Sequence, residues 1–304
     1  MTVPVSDHDL VSSPGSLITR DGQIQWAGLL LGPGTPYGVD RQGLTGWADL
    51  PGLDSGDAAR PTGHGSWPGA RWSQPRTVTA GVWLLPGASA DAAHELLDAF
   101  VRATPVEDGE QWLAVRLHGR TTGVRARVTQ RAVPTDRQFA TGGVTRATVQ
   151  WVATDPRRYA LREEVLSLSL PQYGSGLTYP LGYPLDYGTP AATGSAAAVN
   201  SGSAATCPQV VFTGPVTRPR LVNHATGRAL EYDLALAAGD RLTVDTQEGT
   251  VLLGDRASRL YTAAPGSSPE QAFVLRPGEN RLEFRAADGT PAASARLTWR
   301  SAYL

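Results

Sequence analysis

Residues 154–190 read TDPRRYALREEVLSLSLPQYGSGLTYPLGYPLDYGTP, and how this stretch is read decides how the chain divides. Tyr179, Tyr183 and Tyr187 recur every four residues, the spacing that aligns side chains on one helix face. Pro180 and Pro184 forbid that helix, because proline lacks the amide hydrogen and clashes with the preceding turn. The stretch therefore reads as a stiff, extended arm, and the Ala/Ser/Gly-rich run that follows it continues the arm as a linker. A linker of this kind in the middle of 304 residues divides the chain into an N-terminal domain over 1–165, an arm over 166–195 and a C-terminal domain over 196–304.

On both sides of the arm the pattern is mainly β. The 34 glycines and 23 prolines are spread as punctuation between short apolar runs. One segment differs: in SADAAHELLDAFVRAT, residues 89–104, Ala93, Leu96, Leu97, Phe100 and Val101 share a helical face. Ser89 is placed to cap this helix and Pro105 to stop it. Downstream, Leu113, Val115 and Leu117 alternate along one strand, and Val124, Ala126 and Val128 along the next, with a turn expected over Gly119–Gly123. A third strand alternates Ala147, Val149, Trp151 and Ala153 and ends before Pro156. The first 85 residues resolve only into short strands broken by long Gly/Pro-rich loops such as RPTGHGSWPGARW, and loops of that length usually contact something. The expectation is an N-terminal β-sheet or split-barrel-like domain with one α-helix.

The C-terminal domain shows strands near 207–213, 219–223, 228–236, 241–246, 249–254, 271–275, 280–286 and 294–300, with turn signals between nearly all of them. Antiparallel strands at that spacing predict a β-sandwich or jelly roll.

Composition narrows the function. No apolar run approaches the ~20 residues of a membrane span, so membrane insertion is not expected, and the N-terminal segment lacks the pattern of a signal peptide. Cys207 is the only cysteine, which leaves no intrachain disulfide and no cysteine-rich metal site. With 27 basic residues, all of them arginine, against 28 acidic ones, the chain as a whole has no strong electrostatic hold on nucleic acid.

Catalytic and metal signals are missing. His8, His64, His94, His118 and His224 lie too far apart in sequence to form a ligand motif, the carboxylates are scattered, and no nucleophile or phosphate-loop motif occurs. The reading is therefore no enzyme, no cofactor and no metal. One charge pattern stands out: Arg125, Arg127 and Arg131 face away from the apolar side of their strand. That stripe is either a solvated sheet face, an ion-pair surface between subunits or a face near nucleic acid.

Two stretches carry a family resemblance. VQWVATDPRRYA followed by GLTYPLGYPLDYG resembles the end of the N-terminal domain and the linker of distal tail proteins of long-tailed bacteriophages, especially those infecting actinobacteria. CPQVVFTGPVTRPRLVNHATGRALEYDLALAAGDRLTVDTQEGTVLL resembles their C-terminal domain. The resemblance implies a structural virion protein of the tail tip. It further implies assembly in the host cytoplasm into a homohexameric ring between the tail tube protein and the baseplate hub. N-terminal domains would surround a channel through which DNA passes without specific binding, and galectin-like C-terminal domains would project outward. Tyr179, Tyr183 and Tyr187, with Arg125, Arg127 and Arg131, are the candidate inter-domain or inter-subunit contacts. The alternative is a carbohydrate-binding protein whose C-terminal sandwich takes host cell-wall glycan on Tyr261 or Trp299, chosen there from a short set that also holds Tyr232 and Tyr303.

Overall fold

The computed structural model describes residues 13–87, 90–172 and 193–304. Ser89 and the three arm tyrosines lie outside the described residues. The chain forms two compact units, residues 1–161 with Leu304, and residues 162–303.

The first unit is built on β1 (Ile24–Trp26), β2 (Leu29–Leu31), β3 (Tyr37–Thr45), β4 (Arg76–Leu84), α1 (Ala90–Ala103), β5 (Gln111–Leu117), β6 (Arg120–Ala132), α2 (Arg137–Gly142) and β7 (Thr145–Ala153). Its strands lie in the order β2–β1–β5–β6–β7–β4–β3, all antiparallel. Strict alternation sets the faces: Val78, Ala80, Val82 and Leu84 of β4 and Ala147, Val149, Trp151 and Ala153 of β7 are all buried. Phe100 of α1 completes this core, with its ring 6.2 Å from that of Tyr37.

The end of α1 shows where its carbonyls go. Arg131 donates from Nη1 to the carbonyls of Val101 and Thr104, and the Trp26 indole N–H donates to Ala103 O at 2.6 Å. A cation and an indole thus satisfy groups that the helix cannot satisfy itself.

Two local expectations change. The turn between β5 and β6 is His118–Gly119, not Gly119–Gly123, because both residues take positive φ (50° and 74°), as a two-residue hairpin with right-handed twist requires. The chain also has a second helix, α2, capped by the Asp136 side chain on the Phe139 N–H and closed by Gly143 at φ 65°.

The second unit contains a sheet ordered β8 (Glu164–Ser169), β16 (Ser294–Trp299), β10 (Gln209–Thr213), β13 (Arg241–Asp245) and β14 (Thr250–Leu253), with Ala257–Ser258 at its edge. Its other large sheet is ordered β9 (Ser195–Asn200), β15 (Gly278–Arg285), β11 (Arg220–Asn223) and β12 (Arg228–Glu231). Phe212, Phe273 and Phe284 are fully buried in the shared core. The mainly β character and the antiparallel sheets are as the sequence predicts. Glu164–Ser169, which spans the sequence-based boundary between domain and arm, pairs along its whole length with β16.

Residues 271–275 are not a strand. Glu270–Ala272 is a 3-10 turn, and the carbonyls of Val274 and Leu275 accept from Asn223 and Asn200. With Asn280, which donates to the Arg276 and Gly278 carbonyls, these fully buried amides and a single β-bridge between Leu275 and Thr206 hold the segment. Replacing Phe284 with alanine should destabilise the second unit by about 3–5 kcal/mol, read as a lower urea midpoint with an unchanged m-value.

Candidate functional site

Between β3 and β4 the chain leaves the main sheet of the first unit. Leu53–Ser55 pairs with Arg71–Ser73 and Ala58–Ala59 with Ser66–Trp67, giving a two-stranded ribbon that joins neither large sheet. Every residue from 48 to 75 is exposed except the partly buried Pro51 and Ser73. Strand geometry gives the ribbon a reach of about 25–30 Å.

Its bonds are its own. Gly56 N–H donates to Ala70 O, Gln74 N–H to Gly52 O and the Gly69 N–H to Asp57 Oδ1, while the Arg60 guanidinium lies 4.5 Å from the centre of the Trp67 ring. Gly69 is required for a steric reason: a Cβ there would lie 2.1 Å from the Gly56 carbonyl oxygen. Leu50, Leu53, Trp67 and Trp72 are 66%, 44%, 55% and 63% exposed. Two strands without a covered face are only marginally stable in water, so this apolar surface is incomplete alone.

The root of the ribbon is rigid. Arg76 occupies the first inward position of β4, in phase with Val78 and Ala80, and is 1% exposed. Its Nη1 donates to the carbonyls of Gly46 (2.7 Å), Trp47 (3.0 Å) and Asp49 (2.8 Å), and its Nε to that of Pro156 (2.7 Å). One guanidinium thereby ties the chain entering the ribbon, the chain leaving it and the corner after β7. Burial, with the nearby Arg158 charge, lowers its pKa to about 10 although Asp49 opposes the shift. Its Nη2 has no partner among the described residues.

The corner is itself braced. Arg157 binds Asp155 through Nε (2.8 Å) and Nη2 (2.9 Å), and the Tyr159 hydroxyl donates to Asp155 at 2.6 Å. Burial would raise the Asp155 pKa, but these bonds and the Arg157 charge outweigh it and hold the carboxyl below its ordinary value.

The sequence-predicted candidates separate on this structure. Arg125 donates to Glu110 O and Arg131 is committed to α1, whereas Arg127 is exposed and unpaired among the described residues. Trp299 is not a sugar platform: it is 5% exposed and its indole N–H donates to Val199 O. Its place on a core strand, opposite Glu164, turns the ring inward. Tyr232 is also buried, bonded to Glu270, and Tyr303 is half-buried, so Tyr261, 79% exposed, is the open ring of that set. Among the described residues no three His, Cys, Asp or Glu side chains are placed to hold a metal ion, and no helix is long and apolar enough to cross a membrane. Sequence reasoning missed Arg76, although an arginine in phase with an alternating apolar series was the available signal.

Residues 201–303 match the family model described as siphovirus-type tail component, C-terminal domain. The match lies within the second unit and covers about a third of the chain. The Dit protein (gp 19.1) of phage SPP1 has a similar structure, with a TM-score of 0.63 at 12% identity over 93% of this chain and 99% of that one. Chains of the phage P2 baseplate in its activated conformation, with calcium and with strontium, reach a TM-score of 0.48 at 10% and 9% identity, each over 91% of this chain and over 97% and 96% of theirs. No curated protein matches the sequence. The resemblance to distal tail proteins is thus borne out by the domain match and by the Dit-like fold.

Two outcomes follow from the root. Arg76→Met should cost the first unit about 3 kcal/mol, because buried carbonyls lose their donors, and denaturant titration reads this directly. Asp155 has a lowered folded pKa, so its contribution is fully present above the ordinary carboxylate value and is lost as pH falls through the folded one. Asp155→Asn should therefore be less stable than the parent near neutrality, and the gap should narrow in acid when unfolding is compared at pH 7 and pH 3.

Proposed function

We propose that this chain is the distal tail ring subunit of a siphovirus, joining the tail tube to the baseplate hub and leaving a channel through which the genome passes. The observation that carries the reading is correspondence over nearly the full length of both chains with SPP1 Dit, whose structure is described as a paradigm of the hub adsorption apparatus in phages that infect Gram-positive bacteria. The tail-component domain at 201–303 supports it from the sequence side. In this reading the protein acts in the virion, at the tail tip. It is a structural part without chemistry of its own, made in the host cytoplasm and assembled as a homohexamer.

The physical features agree with that role. A ring subunit needs two unlike surfaces, one to reach and one to receive, and a projecting ribbon supplies the first. A channel for DNA must not hold phosphates, and the formal net charge of -1 suits passage better than retention.

Light scattering of the purified chain, followed by negative-stain electron microscopy of the same peak, should give six-fold rings with an open centre. A chain that stays monomeric at every concentration and forms no ring on purified tail tubes would overturn the assignment.

A further inference from the structure

We propose that the buried guanidiniums of Arg76 and Arg158 hold a small monovalent anion, of the size of chloride, at the corner after β7. The inference concerns the first unit alone and does not depend on the ring reading.

Arg76 commits Nε and Nη1 to backbone carbonyls, and its Nη2 is buried without a partner among the described residues. The Nε of Arg158 is buried and unpartnered there as well. The two side chains belong to one corner. Arg76 Nε donates to the carbonyl of Pro156, two residues before Arg158, and Arg158 opens a short strand, Arg158–Ala160, that pairs with β6. They are near enough that the Arg158 charge helps to depress the Arg76 pKa. Buried N–H groups normally find an acceptor, and these two belong to like charges, which makes leaving them unmet more costly still.

No carboxylate is in place to offset the pair. The acceptors bonded to Arg76 are all carbonyls, and burial alone lowers the pKa of Arg158, with no acidic neighbour to oppose it. Asp155 is engaged by Arg157 and Tyr159, while Asp49 is exposed and accepts from the Gly46 N–H. A water would accept from both donors, but it would bring no charge and would have to place its own hydrogens. An anion meets both needs at once. It must be small, because both donor atoms are closed to solvent, and it must shed its water to enter. Chloride meets these conditions and suits a guanidinium, which is itself more weakly hydrated than an ammonium group. Phosphate and sulfate are larger and more strongly hydrated. The Arg158 side chain is only half-buried, so an ion can enter beside it.

The test is thermal unfolding of the full-length protein followed by tryptophan fluorescence, since seven of its eight tryptophans lie in the first unit. At constant sodium concentration, replacing gluconate with chloride should raise the midpoint along a saturating curve, by about 3–5 °C at roughly ten times the dissociation constant. Bromide should act as chloride does. Arg158→Met removes one donor and one of the two charges, so it should lose the response and melt no lower than the parent in gluconate. Arg127→Met, which removes an exposed arginine of the same unit, should respond as the parent does. Should Arg158→Met not fold, chloride-35 magnetic resonance reads the parent alone: the protein should broaden the chloride line, and added bromide should narrow it again. A midpoint equal in chloride and gluconate, or a chloride line that bromide does not narrow, would overturn the inference. An equal chloride response from the parent and Arg158→Met would overturn it too, by marking a bulk salt effect.

Discussion

The first unit turns on one buried guanidinium. Arg76 lies at a position that alternation assigns to the core, and it is kept there by backbone carbonyls rather than by a bonded carboxylate. Burying a cation this way is costly, and that desolvation is the main cause of its lowered pKa. In exchange, three backbone segments that are distant in sequence are held at one point. Without that point, the carbonyls of Gly46, Trp47 and Asp49 would lose their shared donor, and the root of the ribbon would rest on the buried Trp47 ring and the Gly46–Asp49 bond.

The same principle recurs in the second unit with neutral groups. Asn200, Asn223 and Asn280 are fully buried, and their amides take up the carbonyls of Val274, Leu275 and Arg276, with Leu275 bridged to Thr206 as well. In both units apolar alternation builds the sheets, and a few buried polar side chains decide where the irregular segments run.

Much of the fold was legible because period-two and period-3.6 patterns are strong local signals. The alternating series of β6 and β7 are buried as their spacing demands, and the face of α1 buries Ala93 and Phe100 while Leu96, Leu97 and Val101 are half-buried. What sequence could not give depends on partners distant in the chain. Residues 271–275 look like a strand, but their carbonyls answer to asparagines up to 75 residues away. Trp299 resembles a platform until its strand is placed at the core. The three-arginine stripe is continuous in sequence, yet Arg131 is drawn off to the end of α1 by a shift of register between Val128 and Gln130. The ribbon was visible only as long Gly/Pro-rich loops, because nothing in its sequence reveals that its two halves pair with each other.

The ribbon also bears on how such a protein can change over generations. Its hydrogen bonds close on themselves, its side chains take no part in either core, and its attachment depends on carbonyls, which every residue has. Substitutions, insertions and deletions between Gly52 and Gln74 can therefore accumulate without repacking the domain beneath, provided that the close strand crossing at Gly69 is kept. The mount is conserved by physics and the fitting is free to drift, so lineages that share this domain can diverge in what they join.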